Sequence, residues 1–453
     1  MGTYVRKEAE VVVVGSGPGG ATVAMELTAA GKDVILLERG RDHRGKWYYG
    51  THLGCMIYCE KAGFLMTEEG LNIICGIMTG GSTNLFCGCA SPPPNWLKTK
   101  YKINLESFVK ETIAELGIEP LPQSLWGEAT MRVYEAAGEL GYAWEAQPKF
   151  MNTGRTRLFD CGATCMLGCR CGAKWTANEY IDKAVRSGCR LITGAKVEEV
   201  LVSQGCAEGV LASLGAGRQV LRVEAQTVIV AAGGIGTPVI LQHSGIPEAG
   251  QGLTMDTTVM VYGTSRDVGM AHDPPMAVSW CDDEHGYMLS TLIDPWMMYP
   301  FVLARKGIYD PLRLKDYRRA MGVMIKLKDE ISGGITMEGR IRKPMTEKDS
   351  NRLNHAANLC RKILLRAGCA PESIFISPLR GTHPSGTVRI GELLGTQLQT
   401  KIKNLYVCDA SCFPEALDRP TVLTIISLGK RLARHLLNKG KKNAKEAPVA
   451  KDE

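Results

Sequence analysis

Apolar residues first run together at residues 11–14, VVVV, a block short and β-branched enough to predict a buried strand. After a glycine-rich break, ATVAMELTAAGK spaces its apolar positions as a helix does, and DVILLERG returns to a buried strand ending at Glu38. The alternation recurs downstream. CRLITGAKVEEVLV predicts a strand pair around Val197, and TVIVAAGGIGTP predicts a further buried strand that breaks into a glycine turn at Gly233. Between residues 96 and 159, LESFVKETIAELG and EATMRVYEAAGELGY read as helices, and residues 347–369 read as an amphipathic helix. From about 251 to 378 the pattern is irregular and rich in Met, Trp and Tyr, as in GYMLSTLIDPWMMYPF, which suits an apolar pocket and core packing equally. There is no internal repeat.

The break between the first strand and helix carries Gly15, Ser16, Gly17, Pro18, Gly19 and Gly20. Gly15 permits a tight turn, Gly17 lets the backbone approach a pyrophosphate, and Gly20 allows close helix–strand packing. The helix N-terminus offers unpaired N–H groups to phosphate. Glu38, with Arg39 beside it, stands where a carboxylate meets a ribose diol. Strand, glycine turn, helix, strand and acid together predict a dinucleotide-binding α/β fold of Rossmann type. Only one such motif is present, and the late strand and turn at Gly233 close over a nucleotide in the manner of FAD proteins. FAD without a nicotinamide cofactor is the economical reading.

Length and composition narrow the picture. The chain has 453 residues, enough for two domains, and 45% hydrophobic with 22% charged content is ordinary for a globular protein. Net charge is +7, part of it in a lysine-rich tail, KGKKNAK, which reads as disordered solvating charge over residues 439–453. No basic patch interleaved with aromatics points to nucleic acid. No long apolar run predicts a transmembrane helix, and the N-terminal stretch lacks the pattern of a signal peptide, so a cytoplasmic protein is expected. Sixteen cysteines then argue for a reducing compartment and leave metal ligation open.

Three further stretches add a resemblance. TGGSTN at 79–84, GTHPSGTVRIG at 381–391, and NLYVCDASCFPEALDRPTVLTIISLGKRLARHL at 404–436, taken with the N-terminal motif, are similar to the glucose–methanol–choline (GMC) family of FAD-dependent oxidoreductases. The nearest look is to its cysteine-motif branches: sugar dehydrogenases, cholesterol oxidases and long-chain alcohol oxidases. The resemblance implies a discontinuous FAD domain (1–100, 160–250 and 379–438) and an α+β substrate or cap domain from insertions (101–159 and 251–378), with a reduced lid. It places Gly80, Gly81, Ser82, Thr83 and Asn84 against the flavin and pyrophosphate, and Asp409 and Ala410 near the ribityl chain. It sets Thr421 and Val422 at the start of the last helix, aimed at the flavin. His383, in THPSGT, is implied as the catalytic base while hydride passes from a carbinol carbon to flavin N5. The family pairs that histidine with a second His or Asn, but here the place falls on Pro420. Arg419 and Thr421 on either side become the substitutes, for an alkoxide or an acidic substrate group.

CGATCMLGCRCGAK, residues 161–174, holds Cys161, Cys165, Cys169 and Cys171. Zinc knuckles are absent. Iron–sulfur clusters accept several thiolates from one loop, and Gly162, Gly168 and Gly172 permit close approach to such a cluster. Inert buried thiols and a disulfide remain open. Some sugar dehydrogenases similar to this chain hold a cluster here, so the resemblance implies a [4Fe-4S] or [3Fe-4S] centre. The expected activity is therefore an FAD-dependent alcohol dehydrogenase passing electrons to a redox partner protein or subunit of ferredoxin, cytochrome or flavoprotein type, within an oligomer or complex. The alternatives are a flavin oxidase using oxygen and an electron-transfer subunit without its own alcohol substrate.

Overall fold

A computed structural model of the protein describes residues 3–215 and 217–446. Val11 to Val14 are buried because β1 (Thr3–Val14) runs through the centre of a seven-stranded sheet. β2 (Val34–Glu38) lies parallel on one side, with Arg190–Thr193 beyond it, and Gln219–Val230 lies parallel on the other. Val11 meets Val34 on one side and Thr227 on the other, so both faces of these strands must be apolar. The sheet continues antiparallel through Cys206–Leu214 and Ala195–Ser203, while the end of Gln219–Val230 pairs with Leu405–Val407. Both strands expected in CRLITGAKVEEVLV form, but they do not pair with each other: Arg190–Thr193 lies beside β2 and Ala195–Ser203 at the opposite edge, with Val197 buried opposite Ala212.

Helix α1 (Pro18–Ala29) packs on this sheet beside the helix Asn178–Arg186 and the last helix, Val422–Glu446. Two glycines permit the crossing. A Cβ on Gly19 would lie 1.8 Å from the carbonyl oxygen of Cys408, and one on Gly429 would lie 2.9 Å from the Thr22 side chain.

A second sheet of nine strands carries its own core. Thr258–Thr264 and Ala320–Leu327 pair antiparallel at its centre and are buried at every position, which is why 251–378 read as apolar without a clean period. The helix Glu347–Arg366 covers this sheet and starts with a capping box between Thr346 and Asp349. Arg380–Gly381 also pairs here, which carries the chain from the second sheet directly into the histidine loop.

Two expectations shift. The helix Glu106–Leu116 packs against the last helix, and Leu97, Ile103, Leu105 and Ile118 join the first core, so 101–118 belongs with the FAD-type sheet; that segment enters the second core from Leu121, through Trp126 and the helix Glu128–Glu139. The expected disordered tail from 439 is helical to Glu446, as the last helix, Val422–Glu446, continues into it; residues 447–453 lie outside the described residues. No helix among the described residues is long and apolar enough to cross a membrane.

Candidate active site

The glycine-rich turn after β1 is held open by the acid at the end of β2. Glu38 is buried and accepts from Ser16 N at 3.0 Å, Ser16 Oγ at 2.6 Å and Gly40 N at 2.7 Å. Ser16 Oγ in turn accepts from Gly80 N at 3.1 Å, joining this turn to the TGGSTN loop. Arg39 points elsewhere, pairing with Glu60 at 2.8 Å. Gly15, at φ +95°, and Gly20 are sterically obligatory: a Cβ would lie 2.3 Å from the Ala231 carbonyl oxygen and 1.9 Å from that of Gly15. Gly17 differs. A Cβ there would meet nothing within 4 Å, and one on Gly81 would lie 3.3 Å from Gly17 Cα. No side chain caps the N-terminus of α1, so its first N–H groups face this open cradle. The residues present fit a pyrophosphate there.

The TGGSTN loop is braced from behind. Asn84 donates to the Thr79 and Gly81 carbonyls, and its Oδ1 accepts from Tyr49 and Asn178, each at 3.1 Å. Thr83 Oγ1 accepts from Ala177 N, and Ser82 Oγ from Gly76 N.

On the opposite wall, Asp409 accepts from Gly233 N, Thr237 Oγ1, Ser411 N and Ser411 Oγ, which fixes the second glycine turn against the strand end expected to carry the ribityl contacts. Burial raises its pKa. The histidine loop packs across both. A Cβ on Gly234 would lie 1.9 Å from Pro384 O, and Gly386 N donates to Ala410 O at 3.2 Å. Motifs separated by hundreds of residues thus share one hydrogen-bonded seam.

His383 lies at the junction of that seam and the second sheet. Its Nδ1 is 2.7 Å from Asp256 Oδ2. An ionised carboxylate only accepts, so Nδ1 carries the proton and Nε2 presents a lone pair. Asp256 Oδ1 accepts from Asp418 N at 3.1 Å. Asp256 holds φ +45°, an unusual conformation for a non-glycine residue. Asp329 holds it there, accepting from the backbone N–H groups of Met255 and Asp256 and from Thr257 Oγ1, and is itself paired with the fully buried Lys343 at 3.2 Å. Lys326, also buried, donates to Thr382 Oγ1 at 2.7 Å. Close packing and then the Lys326 ammonium push the His383 pKa below the ordinary imidazole value, and Asp256 pulls it back. The result favours a neutral imidazole at neutral pH, the form that accepts a proton.

Arg419 is not brought to His383 by any hydrogen bond. Its Nε donates to Asp418 Oδ1 at 2.8 Å and its Nη2 reaches Asp283 at 3.5 Å. The buried Asp418, pushed up to about 6 by burial, occupies the place next to the dyad instead. Thr421 is buried, and its carbonyl accepts from Ile425 N as the last helix begins at Val422. Asp256, Lys326 and Asp418 carry no motif, and the sequence reading missed all three. The one available signal was a set of acids and a lysine flanking otherwise apolar strands.

The four cysteines fall in two pairs. The Cys169 and Cys171 sulfurs are 3.7 Å apart, and Cys161 and Cys165 shift each other's titration in opposite directions. Lys174 N donates to Cys169 Sγ at 3.3 Å, and the buried Lys174 ammonium donates to the carbonyls of Cys165, Asn84 and Phe86. One side chain therefore ties the cysteine loop to the flavin-type loop. Thiolates with a backbone N–H on sulfur are suitable cluster ligands in chemistry. No three of the four sulfurs lie within 4.8 Å of one another.

Models of GMC oxidoreductases match residues 58–259 and 340–429, and that of an FAD binding domain matches residues 8–47. An uncharacterized protein of Methanocaldococcus jannaschii is 28% identical over 94% of this chain and 100% of its own length. An uncharacterized GMC-type oxidoreductase of Mycobacterium tuberculosis is 30% identical over 57% of this chain and 43% of its own. A long-chain-alcohol oxidase of Arabidopsis thaliana is 26% identical over 82% of this chain and 54% of its own. This chain thus spans about half the length of the last two. In fold, it is similar to the crystal structure of pyridoxine 4-oxidase from Mesorbium loti, with TM-score 0.72 at 15% identity over 95% of this chain and 99% of that one. The nucleotide cradle, the histidine loop and these matches agree: the chain belongs to the GMC oxidoreductase family, FAD-dependent oxidoreductases acting on CH–OH donors.

Proposed function

We propose that this chain oxidises a small-molecule alcohol, with His383 as the base that takes the hydroxyl proton. The observation that carries this reading is the Asp256–His383 pair at 2.7 Å, which leaves Nε2 unprotonated at the end of the FAD cradle. Bound FAD supplies a two-electron acceptor for the hydrogen on the carbinol carbon. Gly17, Gly81 and the N-terminus of α1 would hold its pyrophosphate, and Glu38 its ribose. His383 Nε2 accepts the proton, and Asp256 stabilises the imidazolium that results, as a buried carboxylate does for any cation it touches. Lys326 keeps that imidazolium acidic enough to release its proton.

For the acceptor, we favour a one-electron partner protein. A cluster on Cys161, Cys165, Cys169 and Cys171 would supply a one-electron centre next to the flavin loop through the Lys174 contacts. A groove of about 440 Å³ lined by Arg44, Lys46, Trp47 and Arg170 opens at Cys169, giving a basic approach for an acidic partner. The second reading is an oxidase that uses oxygen, favoured by the similarity to plant proteins named long-chain-alcohol oxidases.

Anaerobic bleaching of the flavin against a panel of primary, secondary and cyclic alcohols tests the activity. Iron and acid-labile sulfide in anaerobically purified protein test the cluster, and peroxide formed at the rate of turnover favours the oxidase. No bleaching by any alcohol would leave the electron-transfer-subunit reading in its place.

A further inference from the structure

The second sheet carries a donor set that the oxidation chemistry does not use. Asp282 ends the strand Val278–Asp282, His285 sits in the turn that follows, and His355 projects from the helix Glu347–Arg366. One carboxylate oxygen and one ring nitrogen from each histidine lie within 4.8 Å of one another. Among the described residues, this is the one such group of three His, Cys, Asp or Glu side chains.

The arrangement is held in place. Asp282 Oδ1 accepts from His285 N at 3.0 Å, and the Asp282 carbonyl accepts from Gly286 N at 2.8 Å, closing the turn. Oδ2 is left facing His285 Nδ1 at 2.8 Å. Tyr287 OH bonds His355 Nδ1 at 3.0 Å, which orients that ring and leaves its Nε2 available, as outer partners of metal-binding histidines do. Arg352 Nε donates to His285 O at 3.1 Å, pinning the turn to the helix. The two imidazoles stack at 4.0 Å between centroids and 14° between planes. The groove beside them, of about 410 Å³, is also lined by Glu284, Glu347, Lys348 and Arg352.

We propose that Asp282, His285 and His355 form a binding site for a divalent first-row transition ion of the zinc, nickel or copper class. Imidazole with carboxylate selects these ions over calcium or magnesium, which take oxygen ligands alone, and over thiolate-preferring Cu(I). The site is separate from the cysteines and does not depend on the reading of the activity. It clamps the hairpin at 282–287 to the helix. The neighbouring Asp283 reaches Arg419 at 3.5 Å.

The test is Ni²⁺ binding to chelator-treated FAD-loaded protein by calorimetry, for wild type, His285→Ala and His355→Ala. Nickel binding at the cysteines is common to all three, so the difference isolates this site. Both histidines are exposed, and the flavin spectrum and metal-free Tm confirm the fold of the variants. The proposal expects each variant to take up one Ni²⁺ fewer per chain and to lose the rise in Tm that Ni²⁺ gives the wild type. Equal uptake by all three proteins would overturn it, as would a cobalt adduct whose absorption shows only thiolate charge transfer in wild type and variants alike.

Discussion

Oδ2 of Asp256 lies 2.7 Å from Nδ1 of His383, and Oδ1 of the same carboxylate accepts the N–H of Asp418. One buried acid therefore fixes the tautomer of the candidate base and the backbone at the entrance to the last helix.

Asp256→Asn keeps the size of the side chain and loses its charge. Because the carboxylate raises the His383 pKa, the variant lowers it further. The base form then persists to lower pH, so the acid limb of kcat/KM moves down in pH. The rate at the optimum falls by roughly 10²-fold or more, since the imidazolium loses its counter-charge. A pH profile of flavin reduction checks both.

Gly17→Val separates cofactor binding from folding. Gly17 has φ −63° and open space where a Cβ would go, so the substituted chain folds. Its side chain then fills the cradle beside Gly81 and excludes the pyrophosphate. The expected outcome is a protein with normal circular dichroism and little FAD, read from the ratio of visible to ultraviolet absorbance. Gly20→Ala, whose Cβ would meet the Gly15 carbonyl oxygen at 1.9 Å, misfolds instead.

The contrast between those glycines shows what the sequence made legible. The turn after β1, Glu38, the TGGSTN loop and His383 were all readable, because each is a local motif whose residue types are dictated by backbone geometry. Asp256 was not. It sits in the unremarkable MDTT, and its role comes from a contact spanning 127 positions, between the ends of two strands of the second sheet. Arg419 stands beside Pro420 along the chain, whereas the fold turns its guanidinium back onto Asp418 and Asp283. Lys174 carries no local signal within the cysteine run, since only the folded chain brings the Asn84 and Phe86 carbonyls to its ammonium.

Lys174→Met tests that tie. It leaves three buried carbonyls, those of Asn84, Phe86 and Cys165, without a donor. Stability falls by roughly 3 kcal/mol, measured by urea unfolding, and FAD is released at lower urea than in wild type because the TGGSTN loop loses its brace.

Asp418 supplies a pH signature of stability. Its folded pKa of about 6 lies above the unfolded value of ~3.9. Below about pH 4 both states hold the proton. Between about 4 and 6 the unfolded chain ionises first, so stability is lost as pH rises through the folded pKa. Asp418→Asn cannot ionise. Its stability relative to wild type therefore improves by about 2 kcal/mol between pH 4.5 and pH 7.5, a difference that paired denaturant titrations read directly.

The most direct test of the whole account is anaerobic stopped-flow reduction of the flavin in His383→Ala, with an alcohol that bleaches the wild-type enzyme. The account predicts full FAD occupancy and a reduction rate lower by about 10²- to 10⁴-fold. A rate equal to wild type at every pH would contradict it.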